Sequence, residues 1–445
     1  MEHTQSVPAP GGEESKQPAA GARVHADVSA AAAPGHAALA NTQAVIAEAL
    51  HVLGYDEQMF ELLKAPLRVL TVRFPVRMDD GRVRVFTGFR AQHNDAVGPT
   101  MGGIRLQADV REDDVAAWAA WMSVRCGIAN LPFGGAMGGI AADPRDLSFA
   151  ELERLCRAYV RSISQIVGPT KDIPSPDAFS HAQAMAWMFD EYSRIREHDS
   201  PGFITGKPQV LGGTRGREGV TARGVALCLE EAAKVRNLTW SGVRVMVQGF
   251  GRIGSHVAKY LADAGARVVG ISDAHGALYD EDGLDVDALL ERRDSFGAVT
   301  KWFRNTISNA ELLSKPCDVL VLALADHQVT EAQAHLLHAQ VVVEAAHAAL
   351  TPMATRRLAA AGALVVPDVV AHLGSVIASY LEWVQNNQGF YWTEEEVQQR
   401  LGTLLRESFH RVYDTARRYK CDMRLAAYIV GVRRLAEAVR WRGWI

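Results

Sequence analysis

A glycine fingerprint directly after a short apolar strand constrains the fold of this chain more than any other feature. Residues Val243–Val247 are rich in valine, and Gly249, Gly251 and Gly254 follow at Gly-x-Gly-x-x-Gly spacing before a helix from Arg252. The first glycine permits a tight turn, the second lets backbone approach a pyrophosphate, and the third allows close helix–strand packing. The pattern predicts a dinucleotide-binding unit, against the alternative of glycines that serve packing alone.

Further short apolar segments alternate with helical patterns in the same part of the chain. They are Arg267–Ile271, Val319–Leu324, Val341–Glu344 and Ala363–Val366. Buried parallel strands have this composition, so a doubly wound α/β sheet is predicted. Asp273 follows the second strand, 19 positions after Gly254, and is expected to accept the ribose hydroxyls. An acid there favours NAD slightly over NADP.

The earlier part of the chain reads as a different α/β arrangement. Residues 1–40 are rich in Ala, Pro, Gly, Glu and Ser and are predicted to be a disordered tail. An amphipathic helix to Leu53 is followed by a hairpin of Leu67–Val76 and Arg82–Arg90. Later predictions are helices at Asp113–Ile128 and Phe149–Ile166, a proline-rich loop at Asp172–Asp177 and a helix ending near Arg196.

Composition excludes several classes of partner. The 445 residues are 48% hydrophobic and 22% charged, with a formal net charge of -4, so neither nucleic acid nor an acidic membrane surface is an expected partner. No run reaches the roughly 18 apolar residues of a membrane span. The five cysteines are widely spaced and form no CxxC pair. A reduced, cytoplasmic setting without a structural metal is expected.

Two further motifs carry a family resemblance. Leu131-Pro-Phe-Gly-Gly-Ala-Met-Gly-Gly139 resembles the Gly-Gly-Ala-Lys-Gly-Gly signature of the glutamate, leucine, phenylalanine and valine dehydrogenases. The segment Phe89–Arg105 contains Gln-His-Asn and Gly-Pro-Thr-Met-Gly-Gly-Ile-Arg, which is similar to a second family motif. The resemblance spans residues 42–445 and is greatest to glutamate dehydrogenase. It implies a substrate and oligomerisation domain (41–204), a Rossmann domain (205–370) and C-terminal helices (371–445) that pack on the first domain.

The resemblance also implies roles for individual residues. Met137 replaces the catalytic lysine, and Asp177 is the retained aspartate that shuttles protons. Arg125 stands where a lysine holds the substrate α-carboxylate; a guanidinium can grip that group, although an exposed helix arginine is the alternative. Met101 replaces a lysine that binds the side-chain carboxylate, which implies either a changed substrate or a filled apolar gap. Ser379 is a retained substrate contact.

More departures fall at the implied cleft. Phe179 replaces a glycine and is expected to intrude on the pocket. The histidines His181, His327, His347 and His372 replace asparagines and are expected to face the cleft as solvated or hydrogen-bonded side chains rather than as metal ligands. The expected cofactor-binding residues are Gly249, Gly251, Arg252, Ile253, Gly254, Asp273, Thr221 and His347.

Three functional hypotheses follow. The leading one is a catalytically impaired relative that binds NAD or NADP and an amino acid or 2-oxo acid, in a homo-hexamer or in a hetero-oligomer with an active paralogue. The second is an active dehydrogenase for a less polar L-amino acid. The third is a structural or binding module with an empty cleft.

Overall fold

The computed structural model describes residues 34–294, 297–324 and 329–445, with side chains from residue 38 onward. Its first part combines helices with a five-stranded sheet. The elements are α1 (Pro34–Leu53), α2 (Glu57–Leu63), β1 (Arg68–Arg77), β2 (Val83–Gln92), β3 (Thr100–Leu106), α3 (Glu112–Ile128), β4 (Gly134–Ile140), α4 (Phe149–Ile163), β5 (Asp172–Pro176) and α5 (Ala182–Arg196).

Helix α1 begins earlier than predicted. It starts at Pro34, whereas the expected tail extended to residue 40. Proline is tolerated in the first turn of a helix, and the alanines that follow are strong helix formers. The rest of the expected tail, residues 1–33, lies outside the described residues.

The first sheet has the order β1-β2-β4-β3-β5. Strands β1 and β2 form the predicted antiparallel hairpin, whereas β4 and β5 both run parallel to β3. Strand β5 corrects the prediction of a proline-rich loop, and it tolerates Pro174 and Pro176 because it lies at the sheet edge. Strands β3 and β4 were not predicted either, since glycine-rich segments have low strand propensity.

A buried ion pair crosses this sheet. Arg90 on β2 and Asp172 on β5 are fully buried, and Arg90 Nη2 and Nε donate to the two carboxylate oxygens at 2.5 and 2.8 Å. Arg90 Nη1 also donates to the carbonyls of Gly102 and Gly103 on β3. Burial opposes the guanidinium charge, but Asp172 outweighs it and raises the pKa of Arg90. One side chain thereby joins β2, β3 and β5.

The second sheet begins at residue 244. The elements of this part of the chain are α6 (Val220–Arg236), β6 (Arg244–Gln248), α7 (Arg252–Asp263), β7 (Arg267–Ser272), β8 (Ala277–Tyr279), α8 (Val286–Arg292), α9 (Asn309–Leu313), β9 (Val319–Leu322), α10 (Glu331–Ala334), β10 (Val341–Glu344), α11 (Pro352–Ala360) and β11 (Leu364–Val366). The strand order is β11-β10-β9-β6-β7-β8. The strands are parallel except for the short β8, which pairs antiparallel with β7 and was not predicted. The predicted doubly wound domain is confirmed.

The chain closes with four helices, α12 (Asp368–Ala371), α13 (Leu373–Gln388), α14 (Glu394–Tyr419) and α15 (Met423–Trp441). Helix α15 returns to the first part of the chain and packs on α1 and α3. Its Gly431 meets Gly127 of α3 so closely that a Cβ at Gly127 would lie 2.5 Å from the Gly431 carbonyl oxygen. Across the described ranges, no helix has the length and apolar character needed to cross a membrane.

We expect the Arg90–Asp172 pair to be essential for the first sheet. Asp172→Asn should lower the free energy of unfolding by about 3–5 kcal/mol, because it leaves a buried guanidinium without its counter-charge. Urea unfolding measures this loss. Asp80→Asn is the control, since it removes the partner of Arg82, whose side chain is 86% exposed, and should change stability little. If Asp172→Asn and Asp80→Asn lowered the free energy of unfolding equally, the Arg90–Asp172 pair would not be essential for the first sheet.

Candidate functional site

Met137 lies in the middle of β4 and is only 3% exposed. Its terminal methyl group faces Gly103 on the neighbouring strand. A Cβ atom added to Gly103 would lie 3.2 Å from Met137 Cε and 3.1 Å from Asp177 Oδ2, so both side chains border one small space. The structure therefore brings together the two residues that the resemblance implied as catalytic positions. Met137 belongs to a small apolar cluster with Phe89, Ala91, Val110, Val115 and Ala119.

Asp177 directly follows β5 and forms an ion pair with Arg105. Arg105 Nε donates to Asp177 Oδ1 at 2.7 Å, and the guanidinium lies 4.1 Å from the centre of the Trp118 ring. Burial opposes ionisation of Asp177, but Arg105, His347 and the Ala178 backbone N–H together lower the pKa of the carboxyl below its usual value. Asp177 is thus a carboxylate that is already neutralised by a neighbour, which makes it a weak proton acceptor.

Phe179 lies in the turn that follows Asp177. The residue is 58% exposed, and its backbone has φ of +62°, in the left-handed region. Its intrusion on the pocket stays a prediction.

Arg125 stands in the last turn of α3 and reaches across the cleft. It is 7% exposed, so the alternative of an exposed helix arginine is wrong. Its Nη2 lies 3.0 Å from His347 Nδ1 and 3.7 Å from Asp368 Oδ2. Its Nε is buried without a hydrogen-bond partner in the described part of the chain. Burial lowers the Arg125 pKa, although Asp368 and Asp177 counteract this effect.

The His347 and His372 rings meet edge to face, with centroids 4.6 Å apart. His372 is buried, and its Nε2 has no hydrogen-bond partner among the described residues. His181 is exposed before α5, and His327 lies outside the described residues. Within the described ranges, no group of three or more His, Cys, Asp or Glu side chains could hold a metal ion. His347 Nδ1 contacts Arg125 and lies 3.7 Å from Asp368 Oδ2, whereas the His372 ring packs against His347.

A buried charge network forms the floor beneath His347. Arg424 on α15 donates to Asp368 at 3.0 Å and also contacts Glu344 at the end of β10. Burial raises the pKa of Glu344 to about 7, despite the opposing charge of Arg424. Burial also opposes the charge of Asp368, but Arg424, His347 and Arg125 together lower the pKa of that carboxyl. The C-terminal helix thus contributes directly to the cleft.

Met101 and Ser379 have different environments. Met101 on β3 is fully buried in the largest apolar cluster, which also contains Phe133 and Ile173, so it fills an apolar gap. Ser379 on α13 accepts a hydrogen bond from Arg217 Nη2 at 2.8 Å. Arg217 was not predicted as a site residue. Its Nη1 is buried, makes no hydrogen bond in the described structure, and lies 3.7 Å from Oε2 of the buried Glu382.

The glycine turn fits a dinucleotide. Gly249 has φ of +99°, which favours glycine, and a Cβ on Gly254 would lie 1.9 Å from the Gly249 carbonyl oxygen. A Cβ on Gly251 would point into open space, as an approach to a pyrophosphate requires. Arg252 and Ile253 open α7 immediately after this turn, and Thr221 lies in the first turn of α6.

Asp273 departs from its predicted environment. It is 4% exposed and accepts hydrogen bonds on both carboxylate oxygens from neighbouring backbone and from Thr300. Burial opposes its charge, but the Thr300 hydroxyl and these amides lower its pKa. The carboxylate is therefore engaged inside the protein, whereas the sequence predicted a free ribose acceptor.

Comparison with known proteins decides the family. Residues 66–194 match the Glu/Leu/Phe/Val dehydrogenase dimerisation domain, and residues 212–443 match the Glutamate/Leucine/Phenylalanine/Valine dehydrogenase domain. The chain belongs to this family. Both the motif resemblance and the predicted α/β architecture are confirmed.

Individual members of the family cover nearly the whole chain. Over 410 residues it is 60% identical to a cryptic catabolic NAD-specific glutamate dehydrogenase of Bacillus subtilis, covering 92% of this chain and 96% of that relative. It is 58% identical over 404 residues to an NAD-specific glutamate dehydrogenase of Staphylococcus aureus, covering 91% and 98%. The Leu-bound hetero-hexameric glutamate dehydrogenase from Thermus thermophilus superposes with a TM-score of 0.87 at 40% identity, covering 93% and 99%.

We expect His372 to make this family member less stable in mild acid. Burial, assisted by His347 and Arg125, lowers the His372 pKa from 6.5 to about 3. Between these values the unfolded chain binds a proton that the folded chain excludes, so the free energy of unfolding decreases as the pH falls below about 6.5. His372→Asn should remove about 2 kcal/mol of the loss between pH 7 and pH 5.

Urea unfolding at both pH values measures this difference. The exposed His51 provides a control, because His51→Asn should retain the native pH dependence. Full pH dependence in His372→Asn would show that this imidazole is not excluded from protonation in the folded protein.

Proposed function

We propose that this chain is a glutamate-dehydrogenase-like subunit that binds NAD and a dicarboxylate with little turnover, and that it acts as a ligand-binding or regulatory partner in an oligomer. The observation that carries the proposal is the position of Met137. Its methyl group borders the space beside Asp177, where the family resemblance implies a catalytic lysine. A thioether neither accepts nor donates a proton in that space.

Of the two side chains that border this space, Met137 and Asp177, only Asp177 could serve as a base. General acid–base catalysis contributes about 10²–10⁴-fold and needs a group whose pKa lies near the working pH. The pKa of Asp177 is instead lowered, away from the working pH, because Arg105 favours the ionised form of the carboxyl. Asp177 can orient a neighbour, but it is poorly suited to remove a proton from water.

Arg125 is also committed inside the cleft. Its guanidinium contacts His347 and lies near Asp368, so an incoming carboxylate must compete with these partners. A buried arginine can still bind a carboxylate strongly when its internal partner moves away. This arrangement supports ligand binding coupled to movement of His347, and it gives no support for rapid turnover.

The ligand is expected to be a dicarboxylate such as glutamate or 2-oxoglutarate. Arg217 places a guanidinium beside Ser379, and its Nη1 makes no hydrogen bond there, so a second carboxylate could bind it in competition with Glu382, which lies 3.7 Å from Nη1. The alternative of a less polar amino acid depended on Met101, but that side chain is enclosed in the core. The NAD-specific relatives support NAD as the nucleotide.

Assembly with other subunits is part of the proposal. A dimerisation-domain model matches this chain, and the Thermus thermophilus neighbour is a hetero-hexamer crystallised with leucine. On the first sheet, Val83 and Val85 are 57% and 52% exposed and offer apolar surface for such contacts.

The cysteines are free, and burial raises the pKa of the Cys126 thiol to about 12, which is consistent with a reduced cytoplasmic setting.

Restoring the lysine tests the catalytic part of the proposal. We expect no measurable NAD reduction by the native protein with L-glutamate, and at least a roughly hundredfold gain over background in Met137→Lys. Adding His347→Asn should increase the gain, because it frees Arg125. Initial rates of NADH formation provide the measurement, with Met137→Leu as an apolar control that should stay inactive.

Turnover by the native protein comparable to that of Met137→Lys would contradict catalytic impairment. Inactivity of every variant, together with no binding of NAD or 2-oxoglutarate in calorimetry, would instead favour a structural module with an empty cleft.

The assembly proposal has its own test. The tagged chain, isolated from its native cells, should copurify with an active glutamate dehydrogenase in a particle whose native mass corresponds to six subunits. Native mass spectrometry and glutamate-dependent NAD reduction in the same fraction provide the readouts. A homo-oligomer that carries no dehydrogenase activity would contradict the role as a regulatory partner.

A further inference from the structure

The carboxylate of Asp273 is saturated by hydrogen bonds from inside the protein. Its Oδ1 accepts from the His275 backbone N–H at 2.8 Å and from the Thr300 hydroxyl at 2.5 Å. Its Oδ2 accepts from the backbone N–H groups of Val299 and Thr300, both at 2.7 Å. An ionised carboxylate offers about four acceptor positions. All four are occupied, and only 4% of the residue is exposed.

The segment that Asp273 holds lies against the glycine turn. Gly297, two residues before Val299, approaches the backbone of Gly251 so closely that a Cβ on Gly297 would lie 2.8 Å from Gly251 Cα. The same added atom would lie 3.2 Å from the Phe250 carbonyl oxygen. The 297–300 segment therefore packs against Gly251, which the pyrophosphate must approach. The Val299 and Thr300 backbone N–H groups of this segment donate to Asp273.

Asn309 also holds the backbone of Asp273. Its side-chain amide donates to the backbone carbonyl of Asp273 at 3.0 Å, which fixes the strand end from which the carboxylate projects. Both the backbone and the side chain of Asp273 are therefore held, and neither carboxylate oxygen is free to turn toward a ribose without losing two hydrogen bonds.

We propose that Asp273 is a positioning residue that fixes the 297–300 backbone against the glycine turn, and that it is not the ribose ligand that selects NAD over NADP. The inference concerns the dinucleotide site of the proposed function and requires binding only. It replaces the generic expectation that an acid after the second strand discriminates by accepting the 2′-hydroxyl and repelling a 2′-phosphate.

The two interpretations predict different changes in nucleotide affinity. If Asp273 positions the segment, its loss should weaken NADH and NADPH together, because both carry the same pyrophosphate. If Asp273 selects the ribose, its loss should weaken NADH and strengthen NADPH. The ratio of the two dissociation constants therefore separates the interpretations, independently of any effect on stability.

Two variants measure that ratio. Asp273→Asn presents an amide N–H₂ group to donors that need an acceptor, and we expect both nucleotides to bind about tenfold more weakly with a ratio unchanged within about twofold. Thr300→Val keeps the carboxylate and removes one donor, so it should weaken both nucleotides about threefold in parallel. Fluorescence titration with NADH and NADPH, below the unfolding temperature of each variant, gives the constants.

Hydrogen exchange supplies a readout that needs no ligand. The Val299 and Thr300 amides should be protected in the native protein and should exchange at least about tenfold faster in Asp273→Asn. A tenfold shift of the affinity ratio toward NADPH in Asp273→Asn would overturn the proposal, as would unchanged affinities for both nucleotides. Absence of NADH formation leaves the inference intact, since no turnover is required, whereas failure of the native chain to bind either nucleotide overturns it.

Discussion

The buried pair of Arg90 and Asp172 is the constraint on which the site depends. It joins β2 to the edge strand β5 and also hydrogen-bonds the backbone of β3, so it fixes three strands relative to one another. Asp177 lies five residues after Asp172 in the sequence. Gly103, whose backbone carbonyl accepts a hydrogen bond from Arg90, lies between Asp177 and Met137. The cost of burying both charges is offset by this dense set of hydrogen bonds. Strands β2, β3 and β5, which frame the cleft, are therefore held together by a pair that takes no part in the proposed chemistry.

Within that frame, the charged groups of the cleft satisfy one another. Arg105 pairs with Asp177, Arg125 with His347 and Asp368, and Arg424 with Asp368 and Glu344. A catalytic centre usually keeps a titratable group poised near the working pH and open to substrate. Here Met137 removes one such group, and internal partners engage the others. A cleft of this kind is suited to binding coupled to rearrangement of its side chains.

Sequence predicted most of the frame because the frame depends on local patterns. The hairpin alternates with a period of two, the Rossmann strands are short and apolar, and the glycine turn has a recognisable spacing. Strands β3, β4 and β5 were missed because glycine and proline have low strand propensity, and their extended form depends on pairing with neighbouring strands.

The sequence motifs indicated where the site residues lie in the chain, but they did not indicate which side chains pair with one another. The family motifs led to Met137, Asp177, Arg125 and Ser379, and the structure places the first two beside one space. The partners Arg105, Arg217, Asp368 and Arg424 come from other segments of the chain, and no local pattern reveals such distant pairs. The same reason explains Asp273, whose partner Thr300 lies 27 residues later in the sequence.

A single-turnover experiment distinguishes a ligand-binding subunit from a working dehydrogenase. The native protein, in excess over NAD and saturated with L-glutamate, would be followed by absorbance for NADH and by calorimetry for nucleotide binding in the same preparation. We expect that NAD binds and that no NADH forms over many minutes. Stoichiometric NADH formation would contradict this expectation, because hydride transfer would then proceed with methionine at position 137.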